Sequence, residues 1–409
     1  MRILHVNKFL HRKGGAEAYM QDLAALQADA GHDVEFWGMA HPANPPLSLA
    51  ATFPAHIELE PPPPTIRDKA RAAGRMVWST SARRGMSEAI GAFRPDMVHL
   101  HNIYHQLSPA ILRPLARHGI PAVMTLHDYK LACPSYQLLD HGSPCEACIG
   151  GGLSNAPRRR CKDDSLGASA VLAAELWIHR RLGAYEPVAQ FICPSRFLAG
   201  KMAAAGVFPD RLVHVPHFVD VTDLEPKHEP GGPIVFAGRL APEKGVDVLI
   251  RAAGLLGCDV VIAGDGPERQ SLEHLAADVA PGRIRFCGSM TKLAVNDLFR
   301  SGRALVVPSR WYENQPMVVL EAFACGLPVV GSNLGGIPEL IASGANGVLV
   351  EPNDPAALAT ALAPLLDDAD HAMRLGRAAR ALVERHFSPE RHLAAIESAY
   401  GAVTHQEAA

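Results

Sequence analysis

The chain has 409 residues, 48% hydrophobic and 20% charged, which suits two or three folded domains and excludes global disorder or a collagen-like repeat. The longest apolar stretch, residues 166–178, is broken by Ser169 and Glu175 and is too short to span a bilayer. The net charge of −3 hides an uneven split. Residues 1–215 carry 23 Lys+Arg and 18 Asp+Glu, net +5, whereas residues 216–409 carry 16 and 24, net −8.

In chain order, Met1-Arg2-Ile3-Leu4-His5-Val6 shows no charged leader before an apolar run, so a cytoplasmic protein is expected. Residues 2–7, 33–37, 97–101, 123–127 and 191–195 read as strands, and 16–30 as the first helix. The Pro-rich stretch 61–64 predicts a stiff surface loop. After residue 230 the alternation restarts, with strands expected at 234–238, 259–263, 284–287, 304–308, 328–331 and 347–350. Such β/α alternation implies parallel sheets covered on both faces. A dozen strands would be unusual in one open sheet. The expected class is therefore α/β, with two doubly wound, Rossmann-like domains facing across a cleft. The polar, Pro/Gly-rich stretch 223–233 marks the break. It divides the chain into 1–220, 221–387 and a last segment, 388–409, whose helix starts with Ser388 as N-cap and Pro389 at N1. That helix is expected to pack back on the first domain.

Ligands of open parallel sheets bind beyond the carboxyl ends of the strands. The first such turn, Lys13-Gly14-Gly15-Ala16-Glu17, lets backbone amides approach an anion at a helix N-terminus. It lacks the Gly-x-Gly-x-x-Gly dinucleotide fingerprint. In the second half, Gly238-Arg239-Leu240-Ala241-Pro242-Glu243-Lys244-Gly245 places two cations on a tight loop, where Arg239 can fork onto phosphate oxygens and Lys244 can add a point charge. Further along stand Glu313-Asn314-Gln315-Pro316-Met317-Val318 and, inside the helix that follows, Glu321. Pro316 suits N1, and the free amides of the first turn can hold a phosphate. Glu321 can accept two hydrogen bonds from a ribose diol, and Glu313 can accept from sugar hydroxyls. Apolar neighbours around Glu321 predict a carboxylate in a buried helix that needs a partner.

These pieces, in this order, resemble the GT-B glycosyltransferases, specifically the retaining family 4. The resemblance rests on Gly238-Arg239-Leu240 with Lys244-Gly245, Gly264-Asp265-Gly266-Pro267, Glu313 to Glu321, Gly335-Gly336-Ile337-Pro338-Glu339 and Gly347-Val348-Leu349-Val350. In the first half it rests on Gly14-Gly15-Ala16-Glu17, Gly31-His32-Asp33-Val34, Asp96-Met97-Val98-His99-Leu100-His101 and His127-Asp128. It implies that Arg239 and Lys244 neutralise the leaving diphosphate, that Glu321 binds ribose and that Glu313 binds a donor-sugar hydroxyl. Gly15 would close over the phosphates, and His127 would face the donor sugar and the acceptor. Without the resemblance, His127 reads as a core histidine or a structural partner of Asp128. Retention assisted by the leaving phosphate needs no protein nucleophile, and stabilisation of the departing diphosphate becomes the main catalytic effect. No Asp-x-Asp follows a strand, and Asp368-Ala369-Asp370 falls between C-terminal helices, so no cofactor or metal is expected in catalysis. One departure is His217-Phe218-Val219-Asp220, where the family often has Asn-Gly-Val-Asp.

Four cysteines, Cys133, Cys145, Cys148 and Cys161, form a Cys-x11-Cys-x2-Cys-x12-Cys cluster in a Pro/Gly-rich insertion. Without an export signal, a structural zinc held by four thiolates is the expectation, against four reduced thiols in a loop. Cys193, Cys258, Cys287 and Cys325 read as buried small hydrophobes. The basic excess, including Arg67, Lys69, Arg71, Arg75, Arg83, Arg84, Arg158, Arg159, Arg160 and Lys162, reads either as a solvated face or as attraction to an anionic membrane or phosphate-bearing acceptor. Nucleic acid is not expected, because no aromatic pattern interleaves the basic residues. The expected activity is sugar transfer from a nucleotide diphosphate sugar to an acceptor hydroxyl, the acceptor being a glycan or lipid-linked precursor of a surface polysaccharide or glycolipid, at the inner face of the membrane. The competing readings are a sugar-nucleotide epimerase on the same fold and a non-catalytic sugar-nucleotide-binding subunit.

Overall fold

The computed structural model describes residues 1–59, 64–222, 224–226 and 231–404, the Ile66 side chain excepted. Residues 61–63 of the Pro-rich stretch, and residues 223 and 227–230 of the expected linker, lie outside the described residues.

Two six-stranded, wholly parallel sheets form the expected α/β architecture. The first contains β1 (Arg2–Val6), β2 (Asp33–Trp37), β3 (Met97–Leu100), β4 (Ala122–Thr125), β7 (Gln190–Cys193) and β8 (Leu212–His214), in the order β2-β1-β3-β4-β7-β8. Between β4 and β7, β5 (Leu139–Asp140) and β6 (Ser143–Pro144) make a small antiparallel pair. The second sheet contains β9 (Ile234–Ala237), β10 (Val260–Ala263), β11 (Ile284–Gly288), β12 (Ala304–Val307), β13 (Val329–Ser332) and β14 (Gly347–Val350), ordered β11-β10-β9-β12-β13-β14. Strand β8 is absent from the sequence reading. It is a three-residue edge strand of half-buried residues, too short and too exposed to show a buried apolar run.

Strand order reverses beside β1 in the first sheet and beside β9 in the second. At such switch points the loops part and leave a crevice. The loops after β1, β3, β4, β9 and β12 therefore surround the cleft.

The first sheet is apolar on both faces, but its two faces differ near the cleft. Leu4, Val6, Val98, Leu100, Ala122 and Met124 pack in one large apolar cluster that includes Ala82, Met86 and Phe93 of the Thr80–Phe93 helix. On the other face Ile3, Met97, Val123 and Ile192 pack with Tyr19 and Leu23 and with Ile396, Tyr400 and Val403 of the Pro389–Thr404 helix. Side chains alternate along a strand, so the next residues on that second face are His5, His99 and Thr125. The face turns from hydrocarbon to hydrogen-bonding groups as it nears the cleft.

The chain crosses between the cores twice. Phe218 belongs to the cluster with Ile3 and Met97, whereas Val219 belongs to that of Val235 and Leu305. The return follows Phe387, and the two crossings are tied by the Val219 amide donating to the Phe387 carbonyl at 3.0 Å. The Pro389–Thr404 helix begins after Ser388, whose Oγ accepts from the Arg391 amide at 3.4 Å. Asp368 caps the Ala369–His386 helix through the His371 amide at 2.8 Å, which accounts for that carboxylate as local structure.

Candidate active site

A cleft of about 1280 Å³ lies between the two sheets. It brings together Gly14, Gly15 and His127 from the first domain with Gly238, Arg239, Lys244, Glu313, Asn314, Gln315, Pro316, Met317 and Val318 from the second. Gly266 and Glu321 do not line it.

The second-domain wall is a charged one. The 3-10 turn Pro242–Lys244 carries Lys244, whose Nζ lies 2.7 Å from Glu313 Oε1 and 5.1 Å from the Trp311 ring centroid. Ser309 Oγ donates to the same carboxylate oxygen at 2.7 Å. Burial pushes the Glu313 carboxyl up, but the charge and hydrogen bond of Lys244, with Trp311 and Ser309, hold it below the usual carboxylate value. Glu313 is therefore an anion in an enclosed place, fixed by a cation. Its loop rests on Gly336, where an added Cβ would meet the Asn314 carbonyl oxygen at 1.6 Å, and the Gly336 amide donates to the Glu313 carbonyl at 2.7 Å. Arg239 is exposed at the rim, and no hydrogen bond or ion pair of its guanidinium is recorded among the described residues.

The helix after this loop is Met317–Ala324, with Pro316 as N-cap at φ −71° and ψ 109°. Pro316 thus stands one position before the expected N1, and Met317 opens the helix. The Met317 and Val318 amides lack intrahelical acceptors and end at the cleft, whereas the Val319 amide donates to the Pro316 carbonyl at 3.0 Å. Glu321, on the next turn, is half-buried rather than enclosed, and no hydrogen-bond partner is recorded for it among the described residues. Burial raises its carboxyl, with Lys292 easing and Asp22 of the first domain reinforcing the effect. Gly266 serves packing: a Cβ there would come within 2.3 Å of the Leu240 carbonyl oxygen, so the 264–267 loop props the loop of Arg239.

Asn314 and Gln315 are engaged across the domain boundary. Ser195 Oγ donates to Asn314 Oδ1 at 2.8 Å, Asn314 Nδ2 donates to the Leu126 carbonyl at 3.0 Å, and the His217 amide donates to Gln315 Oε1 at 2.6 Å. Glu339 likewise receives the amides of Arg196 and Phe197 at 2.9 and 2.6 Å. These bonds fix how the two walls meet.

The first-domain wall mixes charged residues, Lys8, Lys13, Glu17, Lys69, Asp128 and Lys162 among them, with the neutral His127. His127 is half-buried, and its Nε2 lies 3.0 Å from His101 Nδ1. Burial drives its pKa down to about 3, so it is uncharged near neutrality. Asp128 is not its partner: that carboxylate takes the Tyr104 hydroxyl at 2.6 Å and the Lys130 amide at 2.9 Å. Gln106 Oε1, Tyr129 OH and His217 Nδ1 are buried without hydrogen-bond partners, and all three residues line the cleft. Such orphaned polar atoms, gathered among the described residues at one cavity, can take a polar ligand.

Behind this wall is a buried ion pair that the sequence reading missed. Lys130 Nζ lies 2.8 Å from Glu175 Oε2, and His105 Nδ1 lies 3.0 Å from the same oxygen. In the sequence Glu175 only interrupts an apolar stretch. Its counterpart Lys130 is 45 residues away, and nothing local announces the pair.

All eight cysteines are free thiols. Cys193 and Cys325 are buried, but Cys258 and Cys287 are only half-buried, because both lie at the less covered edge around β10 and β11. Cys133, Cys145, Cys148 and Cys161 sit close enough to act on one another: burial first, then the neighbouring thiols, push Cys148 up to about 12. Among the described residues, only His5, His99 and His101 bring three potential ligand atoms within 4.8 Å of one another. No described helix is long and apolar enough to cross a membrane.

Two doubly wound parallel sheets, with their switch points facing across a cleft that pairs Lys244 and Glu313 with Gly15 and His127, define a GT-B glycosyltransferase. Residues 225–382 match the model for glycosyl transferases group 1, and residues 13–223 match that for glycosyltransferase family 4. The chain belongs to this glycosyltransferase family. It is 30% identical over 383 residues to D-inositol 3-phosphate glycosyltransferase 1 of Catenulispora acidiphila, covering 87% of this chain and 83% of that one. The D-inositol 3-phosphate glycosyltransferase of Salinispora tropica is 29% identical over 415 residues, covering 95% of this chain and 81% of its own. In fold, it resembles sucrose-phosphate synthase of Thermosynechococcus elongatus with a TM-score of 0.73 at 18% identity, covering 98% and 99% of the two chains. It also resembles the Anabaena protein HepE solved in complex with UDP, with a TM-score of 0.69 at 17% identity, covering 98% and 100%.

Proposed function

We propose that the enzyme transfers a sugar, with retention, from a nucleotide diphosphate sugar to a hydroxyl of a glycan or lipid-linked acceptor in surface polysaccharide or glycolipid synthesis. The observation that carries this reading is the Lys244–Glu313 pair at the mouth of the Met317–Ala324 helix, beside Arg239. Arg239, Lys244 and the helix amides offer positive charge where a diphosphate would depart, so preorganised electrostatics stabilises the leaving group. Glu313, held ionised, accepts from a sugar hydroxyl, and Glu321 takes the ribose. Gly14 and Gly15 let the first-domain backbone approach the phosphates, and His127 faces the sugar. Catalysis by these groups requires no metal. A relative solved with UDP and relatives named for a phosphorylated inositol accord with a nucleotide donor and an anionic acceptor.

Glu313→Ala tests the assignment. Turnover should fall by about 10²–10³-fold, with nucleoside diphosphate affinity mostly kept. Survival of turnover would remove Glu313 from the mechanism.

The Leu166–Arg181 helix supports a membrane-facing acceptor. Its outward face carries Ala170, Val171, Ala174 and Trp177, the last 60% exposed, while Ser169 and Glu175 point inward. Arg158, Arg159 and Arg160 precede it in sequence, and Arg180 and Arg181 end it. Apolar anchors among cations suit an anionic bilayer surface. Trp177→Glu should abolish sedimentation with anionic vesicles at low salt. Equal binding by both proteins would contradict the surface. For the four clustered cysteines we propose a structural zinc; less than about half an equivalent by elemental analysis under reducing conditions would refute it.

A further inference from the structure

Behind His127 runs a continuous line of buried hydrogen bonds. His101 Nδ1 meets His127 Nε2 at 3.0 Å, and His101 Nε2 meets His5 Nδ1 at 3.1 Å. His5 Nε2 meets Gln27 Oε1 at 2.7 Å, and Gln27 Nε2 meets Tyr400 OH at 3.0 Å. Tyr400 OH meets His99 Nδ1 at 2.7 Å, and His99 Nε2 meets Thr125 Oγ1 at 2.7 Å. Thr125 is hydrogen-bonded to Tyr19. Tyr19 OH meets His392 Nε2 at 2.9 Å, and His392 Nδ1 meets the Pro216 carbonyl at 2.7 Å.

The direction of every bond follows from the far end. A carbonyl can only accept, so His392 Nδ1 donates to Pro216. Burial holds His392 and His5 at about 4, and His99 and His101 well below the ordinary value, so each ring is neutral and carries one N–H. His392 Nε2 is then bare and takes the Tyr19 hydroxyl proton. Tyr19 must accept from Thr125, and Thr125 from His99 Nε2. His99 Nδ1 is bare and takes the Tyr400 hydroxyl, which accepts from Gln27 Nε2. Gln27 Oε1 accepts from His5 Nε2, whose Nδ1 accepts from His101 Nε2, whose Nδ1 accepts from His127 Nε2. The same bonds use all six ring nitrogens of His5, His99 and His101, which accounts for that cluster without a cation.

We propose that this network, anchored at Pro216 where the chain crosses between domains, fixes His127 as its Nε2–H tautomer and so presents a bare Nδ1 to a hydroxyl in the cleft. His127 Nδ1 has no recorded partner among the described residues, and its ring lines the cleft. The group recognised there is therefore a hydrogen-bond donor, a sugar or acceptor hydroxyl, and not a carbonyl or phosphate oxygen. Thr125, Tyr400, His5 and His392 are positioning residues that act through His127. The ligand named here rests on the glycosyltransfer reading; the tautomer does not.

Imidazole ¹⁵N NMR of the full-length protein, with the His127 signals identified by their loss in His127→Ala, reads the tautomer directly. The wild type should show protonated Nε2 and bare Nδ1 at His127. Tyr400→Phe and Thr125→Val each cut one link, at different places and with little change of shape. In either variant the signal should become a mixture of tautomers, and kcat should fall in proportion to the wrong form, with nucleotide affinity unchanged. A protonated Nδ1 in the wild type, or an unaltered tautomer in both variants, would overturn the network. A correct tautomer with full transfer by His127→Ala would overturn the hydroxyl role. Failure of transfer in the wild type with every donor, alongside the expected tautomer, would fault the glycosyltransfer reading alone.

Discussion

The two walls of the cleft differ most at their centres, an ion pair on one and a neutral imidazole on the other. The second domain presents ions: Arg239 exposed at the rim, and Lys244 against Glu313 at 2.7 Å. The first carries ions too, Lys8, Lys13 and Lys162 among them, but around His127 it presents neutral imidazoles and hydroxyls, with His127 held uncharged by burial. Net charge runs the other way, since the half that holds Arg239 and Lys244 carries −8 and the other +5. Local placement outweighs the sum, because close charges in a sheltered site interact far more strongly than distant, screened ones. A diphosphate needs charge; a hydroxyl needs a directed lone pair.

The sharpest way to break this division is to remove the cation. Lys244→Met should lower kcat by about 10²–10³-fold. It also leaves Glu313 with its burial and without its main partner, so the carboxyl rises and the acid limb of the pH–rate profile moves to higher pH. An unmoved limb would mean that Glu313 is not the titrating group.

Behind the His127 wall the buried Lys130–Glu175 pair should matter for stability. Glu175 is held at about 2 rather than its ordinary 4.5: burial pushes it up, but His105 and Lys130 pull it down further. A depressed carboxyl stabilises the fold above its unfolded pKa, and that contribution is lost as pH falls from about 4.5 toward 2. Glu175→Gln should cost about 3–5 kcal/mol at neutral pH, because it strands the Lys130 charge, and should flatten acid unfolding across that window. Urea melts at several pH values measure both. A loss below about 1 kcal/mol would place the pair among weak surface-like contacts.

The smallest effect is expected at Glu321. Its half-buried carboxylate has no recorded partner among the described residues and stands one turn beyond the cleft lining. Glu321→Gln should weaken nucleoside diphosphate binding about tenfold, with little change in kcat. Calorimetric titration would show it, and unchanged affinity would mean that ribose binds elsewhere.

The sequence was legible where chemistry is local. Apart from β8, the strands of both sheets follow from short apolar runs, and the Arg239–Lys244 loop and the Glu313–Val318 turn follow from residue type beside a strand end. Boundaries shifted by a residue, as at Pro316, where cap geometry decides. Long-range partners were not legible. His99 and His101 alternate along one strand end and so share a face, which was a usable signal, but their links to His5, Gln27 and Tyr400 exist only once β1 lies beside β3 and the last helix returns. Lys130 with Glu175, and Asn314 with Ser195 and Leu126, are likewise products of topology. The place of Gly266 in its motif does not say what its missing Cβ makes room for; the fold shows it to be the Leu240 carbonyl.

The most direct test is a donor screen that follows nucleoside diphosphate release, with and without a lipid-linked acceptor, for the wild type and Lys244→Met. The account predicts acceptor-dependent release with one or a few nucleotide sugars, a product that keeps the donor's anomeric configuration, and collapse of both in the variant. Equal release by wild type and variant, or an inverted product, would contradict it.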